Sequence, residues 1–176
     1  MATTESYSRD ANNVPITTDG LISKNSKVFT GSNTTVAVPI FTVTGTVEIR
    51  GIWAVITTNL GTNHTAAYFR SNDQTAQQSI TVSTGTTLSS KKAGSVIVKK
   101  DLASAAVVLL DNATGVISEP TTLETTFFSP FVMVKKTGAT TNIEYVYTTT
   151  EQPTSGSMDF YVRWLPVSKE GNIASL

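Results

Sequence analysis

Residues 43–58 constrain the fold more than any other part of the chain. In the first half of this stretch, polar Glu48 and Arg50 alternate with apolar residues, so one face is polar and the other apolar. Residues 52–56 are apolar on both faces, which is typical of a strand that enters a sandwich interior or an interface. The stretch therefore predicts a long central β-strand.

Similar short segments, separated by turns rich in Gly, Pro, Asn and Asp, make up most of the remaining chain. The predicted strands are 27–30, 35–43, 65–70, 78–83, 95–99, 126–136, 142–148 and 158–166. Pro39 cannot donate a backbone hydrogen bond, so it predicts an edge or a bulge in its strand. Residues 101–110 fit either a helix capped by Asp101 or a loop and a strand at 106–110, and the valines favour the strand.

Regularly spaced short strands with little helix predict an all-β protein. We expect an antiparallel β-sandwich of jelly-roll type. In the strand at 142–148, alternation places Ile143, Tyr145 and Tyr147 together. In the last predicted strand, the side chains expected to face the core are Met158, Phe160, Val162 and Trp164. The side chains expected on its opposite face are Asp159, Tyr161 and Arg163.

The composition excludes several classes of function. Charged residues make up 15% of the chain, against about 25% in an average soluble domain, and the 13 basic and 13 acidic groups cancel. We expect no nucleic-acid partner because no basic surface is available for phosphates. There is no cysteine for a disulfide or a thiolate metal site, and no apolar run of membrane-spanning length. We therefore expect a soluble, unprocessed protein with no cofactor, and weak charge also favours association.

The first 21 residues are polar, rich in turn formers and without apolar periodicity. We interpret 1–21 as an extended N-terminal arm and 22–176 as the β-sandwich domain. Such an arm is either a frayed terminus or a segment that becomes ordered on a neighbouring molecule. The candidate inter-subunit or capsid contacts in the arm are Tyr7, Arg9, Asp10, Val14 and Ile16.

The residue types that carry catalysis do not form a recognisable motif. His64, the only histidine, lacks a nucleophile motif and is predicted to be an exposed loop residue. Glu144 and Asp159 lie on strands expected to pair, as the two carboxylates of a glycosidase would, but outward positions explain them better. We therefore predict no catalytic, metal or cofactor residues. The aromatic side chains that could stack on a sugar are Tyr145, Tyr147, Tyr161 and Trp164.

Three parts of the chain resemble tailed-bacteriophage virion proteins, a family of small β-sandwich proteins that decorate the head or form head fibres. Residues 41–58 are similar to a Val-Thr-Gly turn that feeds a long strand. The order of 130–134, 142–147 and 155–167 resembles the closing strands of these proteins. Those strands end in an aromatic-Arg-aromatic-x-Pro pattern, which Arg163, Trp164 and Pro166 resemble. Residues 8–15 are similar to their Arg-Asp-x-Asn openings. The resemblance covers about half the chain and carries no functional residue.

This resemblance implies a non-enzymatic structural component of a bacteriophage virion. The expected form is an oligomeric capsid decoration or head-fibre protein on the particle exterior, assembled in the cytoplasm of the host bacterium. Its partners would be itself, as a homotrimer or another ring, and the major capsid protein or other virion proteins. The alternatives are a carbohydrate-binding module for host recognition, which would bind surface glycans, and a neck or tail structural protein.

Overall fold

A computed structural model describes residues 8–9, 15–16, 20–29, 35–62, 64–83, 88–99, 107–111, 130–148 and 155–176. Every secondary-structure element within these ranges is a β-strand. They are β1 (Ser8–Arg9), β2 (Pro15–Ile16), β3 (Leu21–Val28), β4 (Thr35–Thr44), β5 (Thr46–Thr58), β6 (Thr65–Asn72), β7 (Gln77–Ser79), β8 (Val96–Val98), β9 (Val108–Leu110), β10 (Phe131–Val134), β11 (Thr141–Thr148), β12 (Ser157–Pro166) and β13 (Asn172–Ser175).

The strands form two main antiparallel sheets. The first sheet has the order β3-β12-β5-β8-β9, and β10 also pairs with β5. The second has the order β13-β4-β11-β6-β7. On the second edge of β5, residues 53–55 pair with β8 and residues 46–49 pair with β10. The predicted all-β, antiparallel sandwich is thus confirmed, with residues 43–58 supplying most of the central strand β5.

The core lies between the two sheets, and the alternation predicted for its strands is confirmed. On β12 the inward side chains are buried, and those between them face outward. The buried set is Met158, Phe160, Val162 and Trp164. Ile143, Tyr145 and Tyr147 of β11 are buried opposite them in the second sheet. Burial of these large side chains supplies the main hydrophobic stabilisation of the sandwich.

β5 changes face at a β-bulge in its middle. Trp164 pairs with Ile49, whereas the preceding residue Arg163 pairs with Gly51. Arg50 is the extra residue, and because side chains alternate, it reverses the facing of all that follow. The side chains of β5 in the core are Val47 and Ile49 before the bulge, and Ile52, Ala54 and Ile56 after it. The apolar character of both faces at 52–56 therefore reflects a core face and a half-buried outer face.

A second bulge lies in β4 at the position that Pro39 predicted. Ile143 of β11 pairs with Phe41, and the next residue, Glu144, pairs with Pro39. Ile40 is therefore the extra residue, and Ile40 and Phe41 are both fully buried. β13 pairs with β4 only at residues 41–44, so the missing donor of Pro39 leaves no partner unsatisfied there.

β3 is longer than predicted, because the sequence indicated a strand only at 27–30. The inward-facing side chains of this edge strand are half-buried and mostly polar, so they show no apolar alternation. Instead, the polar ones donate hydrogen bonds to backbone oxygens of the second sheet and of Leu176, which follows β13. These bonds are Ser23 Oγ to Ile173 O (2.8 Å), Asn25 Nδ2 to Ile40 O (2.5 Å) and Leu176 O (2.6 Å), and Lys27 Nζ to Leu176 O (2.8 Å). We call this β3–β13 edge the closed side.

Two further predictions meet the structure only in part. Residues 108–110 form strand β9, as the preferred reading of 101–110 expects, while residues 101–106 lie outside the described ranges. β1 and β2 pair with each other in a separate two-stranded sheet. β3 begins at Leu21, and the division of the chain into an arm and a domain stays a prediction.

Candidate assembly surface

His64 is buried, so its prediction as an exposed loop residue was wrong. The imidazole has no exposed surface and lies 2.8 Å from Tyr145 Oη through Nε2. It stacks on Tyr147, with ring centroids 4.4 Å apart and planes 8° apart, and meets Phe29 edge-on. Burial lowers the pKa of His64 to about 4 because the charged form cannot be solvated. This histidine is a neutral member of the aromatic core, and its neighbours in sequence gave no sign of this.

The two carboxylates considered as a glycosidase pair lie in different sheets. Glu144 belongs to the second sheet, where Arg70 Nε donates to it at 2.7 Å and Asn72 Nδ2 at 2.9 Å. Asp159 belongs to the first sheet, where it pairs with Lys24 Nζ at 2.6 Å. The expected pairing of their strands was therefore wrong. No group of three or more potential metal ligands occurs within the described ranges.

Most of the aromatic candidates for sugar stacking are in the core. Tyr145, Tyr147 and Trp164 are buried, whereas Tyr161 is half-exposed on the outer face of the first sheet. Tyr161 stacks on Trp53 of β5, with ring centroids 5.4 Å apart and planes 7° apart. The sequence analysis missed Trp53 as an outer-face residue. The loss of polar alternation after Arg50 and Gly51 was the available signal for the bulge that places it there.

The Trp53–Tyr161 pair is held between two cations. Lys24 Nζ lies 5.6 Å from the centroid of Tyr161, and Arg163 Cζ lies 6.0 Å from that of Trp53. Lys24 also donates a hydrogen bond to Asp159, which, with a second from Ser26, holds the pKa of Asp159 below its usual value. The rings are thus fixed in place by contacts on their own sheet.

Next to this pair, the outer face of the first sheet is aliphatic. Val98 pairs with Trp53 in register, and Val55 pairs with Val96, which in turn pairs with Leu110. All four aliphatic side chains are half-buried. This combination of Trp, Tyr and Arg with uncharged aliphatic neighbours is typical of the centre of a protein–protein interface.

Opposite the closed side, the two sheets are separated by a groove of about 490 Å³ between β7 and β10. We call this edge the open side. Its lining includes the apolar residues Ile80, Phe131 and Met133, the polar residues Ser71, Gln78 and Thr141, and the charged residues Asp73 and Lys99. Among the described strands, β7 pairs only with β6 and β10 only with β5. Each therefore presents a backbone edge with no strand paired to it in this part of the chain.

One end of the groove is tied across by polar contacts. Asp73 accepts backbone hydrogen bonds from Ala76 (2.6 Å) and Thr75 (3.0 Å), which lower the pKa of its carboxyl to about 2. Lys136 Nζ, beyond β10, lies 3.7 Å from Asp73 Oδ2 and also contacts Thr75. The carboxylate of Asp73 is therefore committed to organising its own turn.

Large apolar side chains are exposed beside the open side. Val132 is 58% exposed and Val134 is 63% exposed, both on the outward face of β10. Pro130 and the pair Lys135 and Lys136 flank this short strand, as expected for an edge protected from uncontrolled pairing. Val132 and Val134 thus form a short exposed apolar patch at an edge of the first sheet.

The predicted contact residues of the arm are only partly within the described ranges. Tyr7, Asp10 and Val14 lie outside them. The backbones of Arg9 and Ile16 belong to β1 and β2, where Arg9 pairs with Pro15 and Ser8 pairs with Ile16. The contact roles of all five residues stay a prediction.

Comparison with protein-family models, with curated proteins and with solved structures gave no significant match. No helix in the described ranges has the length and apolar character needed to cross a membrane.

Proposed function

We propose that this protein is a non-enzymatic structural component of a bacteriophage virion, an oligomeric capsid decoration or head-fibre protein on the particle exterior. The sequence resemblance of residues 8–15, 41–58, 130–134, 142–147 and 155–167 to such proteins supports this proposal. The structural observation that carries it is the asymmetry of the sandwich. One side is closed by the chain itself, and the other presents two strand edges, an apolar-floored groove and exposed valines.

Those features favour association for physical reasons. Exposed strand edges pair readily with other chains, and the weak charge of this protein offers little repulsion against contact. A homotrimer or another ring would bury the open side or the outer face around Trp53 against a second copy. A stable contact of this kind buries more than about 1,000 Å² in total. Attachment to the major capsid protein would use the surface that remains.

We also propose that the sandwich is a jelly roll. The strand order supports this, because β12 lies between β3 and β5 in the first sheet, and β11 lies between β4 and β6 in the second. Strands from the two ends of the chain thus alternate in both sheets. Jelly rolls occur in viral capsid proteins and in lectins, so this topology is compatible with the proposed function by analogy of fold.

Two measurements on the same preparation test the proposed function. Sedimentation or native mass spectrometry gives the mass in solution, and immunolabelling of purified particles shows whether the protein is present and where. We expect a defined oligomer at micromolar concentration and labelling on the head. Labelling at the neck or tail would instead support the neck or tail alternative. A monomer that is absent from particles would contradict the virion proposal.

The stacked Trp53–Tyr161 pair supports a second candidate, a carbohydrate-binding module for host recognition. Half-exposed rings with neighbouring charged side chains can stack on a sugar and hydrogen-bond its hydroxyl groups. A glycan array with the wild-type protein and with Trp53→Ala decides this. Saturable binding that the substitution abolishes would support the module, and an array without signal would exclude it.

A further inference from the structure

We infer that protonation of His64 opens one end of the sandwich while the opposite end stays folded. We call this part of the molecule the His64 end. It is where β3, β5 and β11 end and where β6 and β12 begin. The inference goes beyond the proposed function and does not depend on it, because it concerns how the fold itself responds to acid.

The imidazole of His64 has no place for a positive charge. The ring is fully buried, and its Nδ1 has no hydrogen-bond partner among the described residues. The other nitrogen, Nε2, bonds Tyr145 Oη, and Tyr147 stacks on the ring face. A protonated imidazole must donate from both nitrogens. The proton on Nδ1 would therefore have no acceptor until this part of the core opens to water.

The groups that touch the ring cannot compensate a positive charge. The titratable ones are the phenols of Tyr145 and Tyr147. Burial raises the pKa of both phenols, so they stay neutral in acid. Phe29 meets the ring edge-on, and Leu88 donates its backbone N–H to the carbonyl of the histidine. Both residues are uncharged.

The charged side chains on the surrounding elements are directed elsewhere. Glu144 of β11 and Asp159 of β12 alternate with core residues and form ion pairs on the outer faces of their sheets. Lys91, which follows Leu88 in the same loop, is bound to Asp111 at 2.6 Å. Burial is the cause of the lowered pKa of His64, so water at the ring is what would restore the charged form.

The backbone at the His64 end is already irregular. Between Val146 and Thr148 the register of β11 with β6 shifts, opposite the tyrosine on which His64 stacks. Ala66 of β6 has a φ of +51°, a left-handed conformation that strains a residue other than glycine. Opening this end releases that strain, so the structure favours opening here over other places in the sheet.

The two ends of the sandwich are held by separate hydrogen bonds. At the His64 end, backbone bonds join short connecting segments: Leu88 N to His64 O (2.9 Å), Phe29 N to Gly156 O (2.9 Å) and Gly61 N to Ser155 O (2.7 Å). At the opposite end, the bonds include Val167 N to Thr46 O (2.9 Å) and Lys135 N to Gly45 O (2.8 Å). Proteins open locally in such units without unfolding as a whole, so the two ends can respond separately.

The size of the effect follows from the protonation of the two states. The pKa of His64 is about 4 while the ring is enclosed and about 6.5 once water surrounds it. The open state therefore binds more protons, and opening becomes more favourable as the pH falls. Its equilibrium constant should rise about twentyfold between pH 7 and pH 5.

Amide hydrogen exchange of the wild-type protein, resolved by residue with NMR and corrected for the intrinsic rate at each pH, tests this inference. The reporter amides are those of Leu88, Phe29 and Gly61, and the control amides are those of Val167 and Lys135. We expect the protection of the reporters to fall about twentyfold between pH 7 and pH 5, and that of the controls to change less than about twofold. An equal fall at both ends, or constant protection of the reporters, would overturn the inference.

His64→Gln is the matched variant, because glutamine can bond Tyr145 Oη but does not titrate. Its reporter amides should be equally protected at pH 7 and pH 5, and a fall like that of the wild type would assign the effect to another group and overturn the inference. If the variant does not fold, the wild-type protein supplies a second measurement. It has one histidine, so the imidazole signals give the protonation of His64 directly. A pKa well below 6.5 is expected in the folded protein, and a value near 6.5 would also overturn the inference.

Discussion

The closed and open sides of the sandwich differ in how the edges of the two sheets are linked. At the closed side, polar side chains of β3 donate hydrogen bonds to backbone oxygens of the second sheet and of Leu176, and Asn25 donates to both Ile40 and Leu176. At the open side, β7 and β10 face each other across a groove, and Lys136 lies 3.7 Å from Asp73 across one end of it. Within the described residues, side chains thus link the two sheets along the closed side, whereas a groove separates them on the open side.

The comparison teaches where stability and association are expected to reside. Removing a partly buried hydrogen bond reduces stability by about 0.5–1.5 kcal/mol, whereas exposed side chains along an edge contribute little to the isolated fold. Substitutions on the closed side should therefore lower the free energy of unfolding. Substitutions on the open side should mainly change assembly.

The largest effect is expected for Trp164→Ala at the closed side. Trp164 is buried, and its indole Nε1 donates to Ser23 Oγ at 3.0 Å. The substitution removes a large core side chain and should reduce the free energy of unfolding by about 3–5 kcal/mol in denaturant titrations. Trp53→Ala is the matched control on the outer face, where a loss near 1 kcal/mol is expected. Equal losses would show that the closed side is no more important to the fold than the outer face.

The next largest effect is expected when the pH is lowered, because His64 is buried in its neutral form. His64 has a pKa of about 4 in the folded protein and about 6.5 when unfolded, so the unfolded state binds more protons between these values. Its contribution is complete above pH 6.5 and is lost as the pH falls towards 4, up to roughly 3 kcal/mol.

Thermal unfolding between pH 7 and 4.5 measures this effect. The lowered pKa of Asp73 and of Asp159 makes both carboxylates lose their contributions mainly below this window. The melting temperature of His64→Gln should therefore change less with pH than that of the wild type, even if the variant is less stable at pH 7. A wild-type stability that does not change across the window would contradict the neutral, buried state of His64.

A smaller effect is expected for Asn25→Ala, which breaks the closed side at one residue. The substitution removes two hydrogen bonds, but Ile40 O still accepts from Leu176 N and Leu176 O from Lys27 Nζ, so stability should fall by only about 1 kcal/mol. Gln78→Ala at the open side should change stability by less than about 0.5 kcal/mol. Urea titrations of both variants compare the two sides directly. A larger loss for Gln78→Ala would reverse the assignment of the two sides.

The smallest effect on stability is expected for removal of residues 1–19. The cut precedes Gly20, because Leu21 belongs to β3 and pairs with Trp164. The free energy of unfolding should change by less than about 0.5 kcal/mol, while oligomer formation or attachment to particles should weaken. Calorimetry and particle-binding assays on the truncated chain check both parts. A melting temperature many degrees lower would mean that the segment is a strand of its own domain, and normal attachment would mean that it is a frayed terminus.

The sequence by itself determined the class of fold and much of the core. Alternation is a local property, so Met158, Phe160, Val162 and Trp164 could be assigned to the core from β12 alone. The position of Pro39 likewise predicted an edge or a bulge, because a missing donor restricts where a residue can pair, and the structure has a bulge there. Such predictions hold wherever the residue and its nearest neighbours contain the physical cause.

Only the tertiary structure decided the features that depend on a distant partner. The extra residue at Arg50 exists because β12 pairs with both Ile49 and Gly51, and this pairing moves Trp53 to the outer face. His64 is buried because Tyr145 and Tyr147, about eighty positions away, enclose it. β3 was hidden because its polar side chains bind backbone oxygens of the other sheet instead of forming an apolar stripe. In each case the stabilising contact comes from a strand remote in sequence, so no local pattern records it.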